Sequence, residues 1–254
     1  MRFASIGSGS EGNGLIVEAG ATRVLIDCGF GVRDAGARLR RLGVEPETLS
    51  AILVTHEHND HAGGVPAFAA KHSIPVWVTF GTLQVIGERF AGLDAVYGFD
   101  SHDCFAVGDL NVRPFPVPHD AREPVQFVID DGAARVGVLT DIGGSTPYVE
   151  ARLSGCDALV LECNHDPDML AGSDYPYPLK QRIAGRFGHL CNAGAAALLA
   201  ALDRSRLKHV IAAHLSQHNN TPQKARAALA EALNCAPDWI GVADQANGFD
   251  WRML

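Results

Sequence analysis

Ala51 to His61 reads AILVTHEHNDH: an apolar run of four, then three histidines, a glutamate and an aspartate crowded into the next seven positions. The apolar run has the length and composition of a short buried strand, so the polar groups gather where that strand stops. Residues two apart on extended chain point to the same side. His56 and His58 can therefore present imidazoles to one ion, while a turn after Asn59 lets Asp60 and His61 face a second. A single histidine at a strand end is ordinarily a satisfied polar side chain. Four potential ligands between His56 and His61 require another explanation.

Two ions need more than four ligands, and further candidates stand at the ends of other apolar runs. His119 follows FPVP, Asp141 follows VGVLT and His214 follows HVIAA. Strands are expected over residues 3–6, 14–18, 23–27, 51–55, 76–79, 158–162 and 209–213, with hairpins over 105–117 and 125–140 and a last strand pair within 239–251. Helices are expected over 32–42, 66–72, 82–90, 147–153, 193–202 and 222–233. Two strand-rich halves, each carrying helices, make this an α+β chain, read as one domain over residues 1–254, with sheets face to face and helices outside.

At 254 residues, 47% hydrophobic and 20% charged, the composition is that of a globular protein with a sizeable core. The opening MRFASIGSGSEGNG has no apolar signal core, and the small-apolar run from Ala193 to Leu202 is too short to cross a bilayer, so a cytoplasmic chain without a membrane partner is expected. Six cysteines without a C-x-x-C pair read as reduced, structural thiols. The net charge of −8 excludes a generally basic nucleic-acid-binding surface. A polyanion must be drawn locally: two divalent ions beside Asp60 and Asp141 would add four charges, moving −8 to about −4 and concentrating the change in one cleft.

The pattern T-H-x-H-x-D-H from Thr55 to His61, followed by His119, Asp141 and His214, resembles the metallo-beta-lactamase superfamily of dinuclear hydrolases. The resemblance covers nearly the whole chain and implies a four-layer αβ/βα sandwich with the site along one edge of the two sheets. It implies that His56, His58 and His119 bind one metal and Asp60, His61 and His214 the other, with Asp141 bridging. Asp27, at the end of RVLID, would orient the histidine loop from behind without touching metal. Four blocks, GSGSEGNG (7–14), LECNHDPDML (161–170), YPYPLKQRIAGRFGHLCN (175–192) and HLSQHNNTPQKA (214–225), resemble the YycJ (WalJ) group of that superfamily, whose members are assigned as DNA exonucleases.

Two cations about 3.5 to 4 Å apart can bind a hydroxide between them, lower its pKa and stabilise charge on the oxygens of an attacked phosphodiester. Mixed histidine and aspartate donors suit zinc, manganese or iron alike. Phosphodiester cleavage also needs a proton for the leaving oxygen. His189, in RFGHLCN, is the candidate, because related phosphodiesterases of the superfamily place a non-ligand histidine between the bridging aspartate and the last ligand; with Asp60 it makes up the expected catalytic pair. Ser8, Ser10 and Asn13 lie in a Gly-rich turn whose N–H groups can cradle an anion or simply close a tight hairpin. Asn164, His165 and Asp166 follow an apolar strand and are expected to contact substrate or anchor a flap. Residues 167–186 interleave Tyr175, Tyr177, Lys180, Arg182 and Arg186, a pattern that stacks a base and meets a phosphate, or covers a sheet edge.

These readings converge on a hydrolase that uses two divalent metal ions and a metal-bridging hydroxide to cleave phosphodiesters, a DNA exonuclease or related phosphodiesterase. Its partner is then nucleic acid or a small phosphodiester. A thioester or lactone hydrolase on the same site is the alternative. A redox diiron protein is disfavoured, since such members usually carry glutamate as the second ligand of the loop, where His58 stands.

Overall fold

A computed structural model describes residues 1–254. The first sheet takes β1 (Arg2–Gly7), β2 (Gly14–Ala19), β3 (Thr22–Ile26), β4 (Ala51–Leu53), β5 (Val76–Thr79) and β6 (Val96–Phe99). The second takes β7 (Phe105–Val107), β8 (Leu110–Pro116), β9 (Val125–Asp130), β10 (Arg135–Leu139), β11 (Ala158–Glu162), β12 (His209–Ala213) and β13 (Gly241–Val242). The terminal β14 (Phe249–Met253) returns to the first sheet, antiparallel to β1. Apart from β14, the strand order in each sheet is sequential, and β3 to β6 and β10 to β13 run parallel.

Strands buried on both faces read as continuous apolar runs, and alternation then decides which residue serves which layer. In β11, Ala158 and Val160 enter the core between the sheets, while Leu159 and Leu161 point to the outer layer. Phe3, Leu110, Phe127 and Ile129 fill the inter-sheet core. Outside the first sheet pack α1 (Val32–Arg41) and, beyond the short α2 (Asn59–Ala62), α3 (Val65–His72) and α4 (Phe80–Ile86), through Leu39, Phe68 and Ile86. Outside the second pack α5 (Pro147–Leu153) and, after α6 (Pro167–Gly172) and α7 (Tyr177–Ile183), α8 (Asn192–Ala201) and α9 (Pro222–Leu233), through Leu153, Leu198 and Leu229. The result is the four-layer αβ/βα sandwich. Phe127→Ala opens a void between the sheets and should cost about 3–5 kcal/mol, read as a lower urea midpoint at unchanged slope.

Two expectations are corrected. The last strand pair does not pair with itself: β13 joins β12 and β14 joins β1 in the opposite sheet, since an apolar pattern reports burial but not which edge a strand occupies. The helix expected over 82–90 starts at Phe80, where Thr79 Oγ1 accepts from Thr82 N, and gives way at Gly87 to a 3-10 turn. β6, α6 and α7 were not anticipated. β6 exposes Tyr97 and Gly98, and α7 buries no residue, so neither carries the apolar periodicity that marks an element.

Candidate metal centre

The site forms where the strands end. Asp27 and His214 directly follow β3 and β12, Asp141 stands two residues past the end of β10, and all three adopt left-handed backbone, with φ of 61°, 53° and 52°. That conformation costs a non-glycine residue roughly 1–2 kcal/mol. Its recurrence at three strand ends facing one cleft marks strain held by the fold at a functional site. The histidine loop leaves β4 extended through His58 and then turns into α2, which places Asp60 and His61.

All seven expected ligands converge. The donor atoms of His56, His58 and His119 lie within 4.8 Å of one another, as do those of Asp60, His61 and His214; Asp141 falls within that distance of His56 and His61 in one grouping, and of His214 in another. Each ring except His58 is tied by Nδ1 to an oxygen: His56 to Thr55 Oγ1 at 2.9 Å, His61 to Asp27 Oδ2 at 2.7 Å, His119 to Gly188 O at 3.1 Å and His214 to Glu162 Oε1 at 3.1 Å. Since the anchors accept, each Nδ1 carries a proton and each Nε2 is turned inward, where it can give its lone pair to a cation once any second proton has left. Thr55 Oγ1 donates to Asp27 Oδ2 at 2.7 Å, so one buried carboxylate orients His56 through the hydroxyl and His61 directly. Asp27→Ala should weaken metal affinity about 10- to 100-fold while leaving every ligand present, measured by competition with a chromophoric chelator.

Three donor atoms are buried without a well-formed hydrogen bond: His56 Nε2 has no partner, His214 Nε2 has only Asp60 Oδ2 at 3.5 Å, and Asp141 Oδ2 faces His61 Nε2 at 2.8 Å, lone pair against lone pair when His61 carries its proton on Nδ1. Buried polar atoms are rarely left so, and three converging in one cavity fit a cation. The electrostatics agree. Burial, reinforced by His61, holds His56 well below the usual imidazole range, so it stays neutral. Burial opposes ionisation of Asp141, but His214 and His61 outweigh it and keep its carboxyl well below the usual range. For His214, burial lowers the pKa, yet Asp141, Asp60 and Glu162 together push it up to about 10. A proton on His214 therefore stands in for a cation among these carboxylates. The folded pKa lies above the ordinary 6.5, so this contribution to metal-free stability is complete below about pH 6.5 and is lost as pH rises to about 10. Metal loading at neutral pH should release that proton and tighten with rising pH, which calorimetry in buffers of different ionisation enthalpy would register.

Glu162, fully buried at the end of β11, escaped the sequence reading although it stands at a strand end like Asp141. It joins Asp141, His189 and His214 in one further donor cluster. It accepts from His189 Nδ1 at 2.8 Å and His214 Nδ1 at 3.1 Å, and from the N–H groups of Ile142 and Leu190. Burial resists its charge, but His189 and His214 hold its pKa down at about 2. His189 lies 3.5 Å from Asp141 Oδ1 and stacks on His214 with ring centroids 5.4 Å apart. Its segment is seated by His119 donating to Gly188 O and by Gly143, where a side chain would meet the Arg186 carbonyl carbon at 2.3 Å. Asp120 was also missed: it bridges Arg182 at 2.6 Å and lies 3.4 Å from His119 Nε2.

The substrate contacts read from sequence are largely turned inward. The Gly-rich turn is no anion cradle, because the N–H groups of Ser8, Gly9, Glu11, Gly12 and Asn13 are donated to Asp244 O, Asn13 Oδ1, Gln245 Oε1, Gly9 O and Asp60 O. Ser8 Oγ instead receives His214 N at 2.9 Å, and Asn13 Nδ2 donates to Gly9 O and lies 3.0 Å from His61 Nε2. Ser10 is exposed on this turn. Asn164 Nδ2 donates to His214 O at 3.1 Å, and Asp166 caps α6 and pairs with Lys224. Ser8, Asn13 and Asn164 thus brace the site from behind. His165 lines an open cleft beside His189, and Asp166 lines a second one between α8 and α9.

The model of the beta-lactamase superfamily domain matches residues 22–214. The chain belongs to the beta-lactamase superfamily. Two superfamily relatives match along almost their full length: exodeoxyribonuclease YycJ of Bacillus anthracis, 31% identical over 100% of this chain and 97% of its own, and exodeoxyribonuclease WalJ of Streptococcus pneumoniae, 32% identical over 95% and 91%. Among solved structures, the metallo-beta-lactamase fold protein YhfI of Bacillus subtilis superposes with a TM-score of 0.78 over 99% of both chains at 17% identity, a likeness of fold. As a member of this superfamily the chain is a metal-dependent hydrolase, and its histidine–aspartate clusters are compatible with a divalent-metal site. No helix is long and apolar enough to cross a membrane.

Proposed function

We propose that this superfamily member is a cytoplasmic phosphodiesterase with two divalent ions, acting on DNA as an exonuclease. The observation that carries the reading is the pair of histidine-containing triads joined by Asp141, with His189 held at their edge by a buried carboxylate. His56, His58 and His119 would hold one ion, Asp60, His61 and His214 the other, with Asp141 shared; the donor types suit zinc, manganese or iron. Bound there, divalent ions supply Lewis-acid activation of water and neutralise charge on phosphate oxygens.

The protein's own groups do the rest. Asp60 Oδ2 lies 3.4 Å from His61 Nε2 and 3.5 Å from His214 Nε2 and stays ionised because those rings outweigh its burial, so it fixes the second triad. Burial lowers the pKa of His189, but Glu162 and Asp141 reverse the shift and raise it above the ordinary imidazole value, which favours the protonated ring. With Nδ1 given to Glu162, Nε2–H is left for the leaving oxygen. Full-length relatives named exodeoxyribonucleases support DNA as substrate.

The test is purified protein with manganese on end-labelled DNA, bis-p-nitrophenyl phosphate and a thioester, with elemental analysis alongside. Stepwise shortening of DNA by protein carrying two metal equivalents is expected. A preference for the thioester, or full activity with one equivalent, would overturn the reading.

A further inference from the structure

We propose that the cleft beside His189 is a pocket for one nucleoside, the one carrying the leaving oxygen, an inference that rests on the phosphodiesterase reading. The cleft encloses about 540 Å³ and runs from His189 to the face of α8, within the roughly 300–1,000 Å³ of small-molecule sites. Leu190, Ala197 and Leu198 give it apolar walls, and Glu150 and His165 give it polar groups.

No lysine or arginine lines it. A carboxylate without a neighbouring cation repels phosphate, so this space suits an uncharged part of a substrate whose phosphate lies elsewhere. A nucleobase and sugar match an apolar slot with a few hydrogen-bonding groups. Glu150 Oε1 is fixed by Ser145 Oγ at 2.9 Å, which leaves Oε2 to accept from a base or sugar. His165 is only 3% exposed on the cleft wall, and its Nδ1 is buried with no partner.

The position of His189 decides which nucleoside enters. Its ring meets Asp141 and Glu162 on one side and lines the cleft on the other. An oxygen protonated by His189 therefore has the carbon skeleton it belongs to on the cleft side. Room for one nucleoside makes this the place where the terminal residue of a strand is sorted.

Two variants test the pocket. Ala197 is exposed on α8, so Ala197→Trp fills the cleft without entering the core, and Glu150→Gln removes the charge while keeping the shape. Both are compared with wild type, manganese-loaded, on single-stranded oligonucleotides differing in the terminal base and on bis-p-nitrophenyl phosphate, which has no nucleoside. Ala197→Trp should raise KM on oligonucleotides about tenfold or more and leave the small substrate within about twofold; Glu150→Gln should change the preference among terminal bases. Unchanged oligonucleotide kinetics in both variants, or equal losses on both substrates, would overturn the pocket. If Ala197→Trp does not fold, terminal-base preference in Glu150→Gln decides alone. Wild type that cleaves neither substrate overturns the phosphodiesterase reading and the pocket with it, whereas active wild type with silent variants overturns only the pocket.

Discussion

Asp141→Ala is expected to lower kcat/KM on DNA by about 10³-fold or more and to leave the purified protein short of metal. Asp141 is 2% exposed and lies 2.8 Å from His61, 3.6 Å from His214 and 3.9 Å from His119, so no other single side chain touches as much of both triads. Its removal leaves the imidazoles facing one another without the anion that offsets their cations. Elemental analysis separates the outcomes: full metal content with near wild-type activity would remove Asp141 from the centre, while loss of metal and activity together supports its bridging place. Refolding is not the limiting concern, since Asp141 lies outside the inter-sheet core and the substitution leaves that core intact.

His189→Ala should keep its metal and lose about 10²- to 10⁴-fold in rate on DNA, with a much smaller loss on bis-p-nitrophenyl phosphate. The contrast follows from the leaving groups: a sugar alkoxide needs a proton as the bond breaks, whereas nitrophenolate departs without one. Glu162 holds His189 Nδ1 at 2.8 Å, so Glu162→Gln should reproduce part of this loss and lower the basic limb of the pH profile, because the raised pKa of His189 depends on that charge. Equal slowing on both substrates would make His189 a phosphate-positioning group. Lost metal would make it a ligand, as its place in a donor cluster with Asp141, Glu162 and His214 allows.

The elements with a strong local signal were legible along the chain. The runs 147–153, 158–162, 209–213 and 222–233 match α5, β11, β12 and α9 to the residue, because proline or threonine starts and apolar packing fix their ends. The ligand set was legible for the same local reason: each candidate closes an apolar strand. Glu162 closes one too, yet nothing in LVLEC separates a buried glutamate that anchors two histidines from one that faces water. The Gly-rich turn failed in the opposite way. Its glycines allow an anion cradle, but Gln245, Asp244 and Asp60, remote in sequence, took up its N–H groups.

Sequence by itself determined the sandwich class, the strand-end placement of the histidines and aspartates, and the hydrolytic character of the histidine loop, since these depend on periodicity and on donor types over short spans. Only the tertiary structure decided which ring nitrogen each histidine turns inward, which carboxylate stands behind it, and where the cleft opens. Those depend on atoms from β3, β8, β11 and β12 meeting at one edge, and the hydrogen bonds that aim them span 27 to 69 residues of chain. No local pattern carries the direction of a side chain whose partner lies that far away.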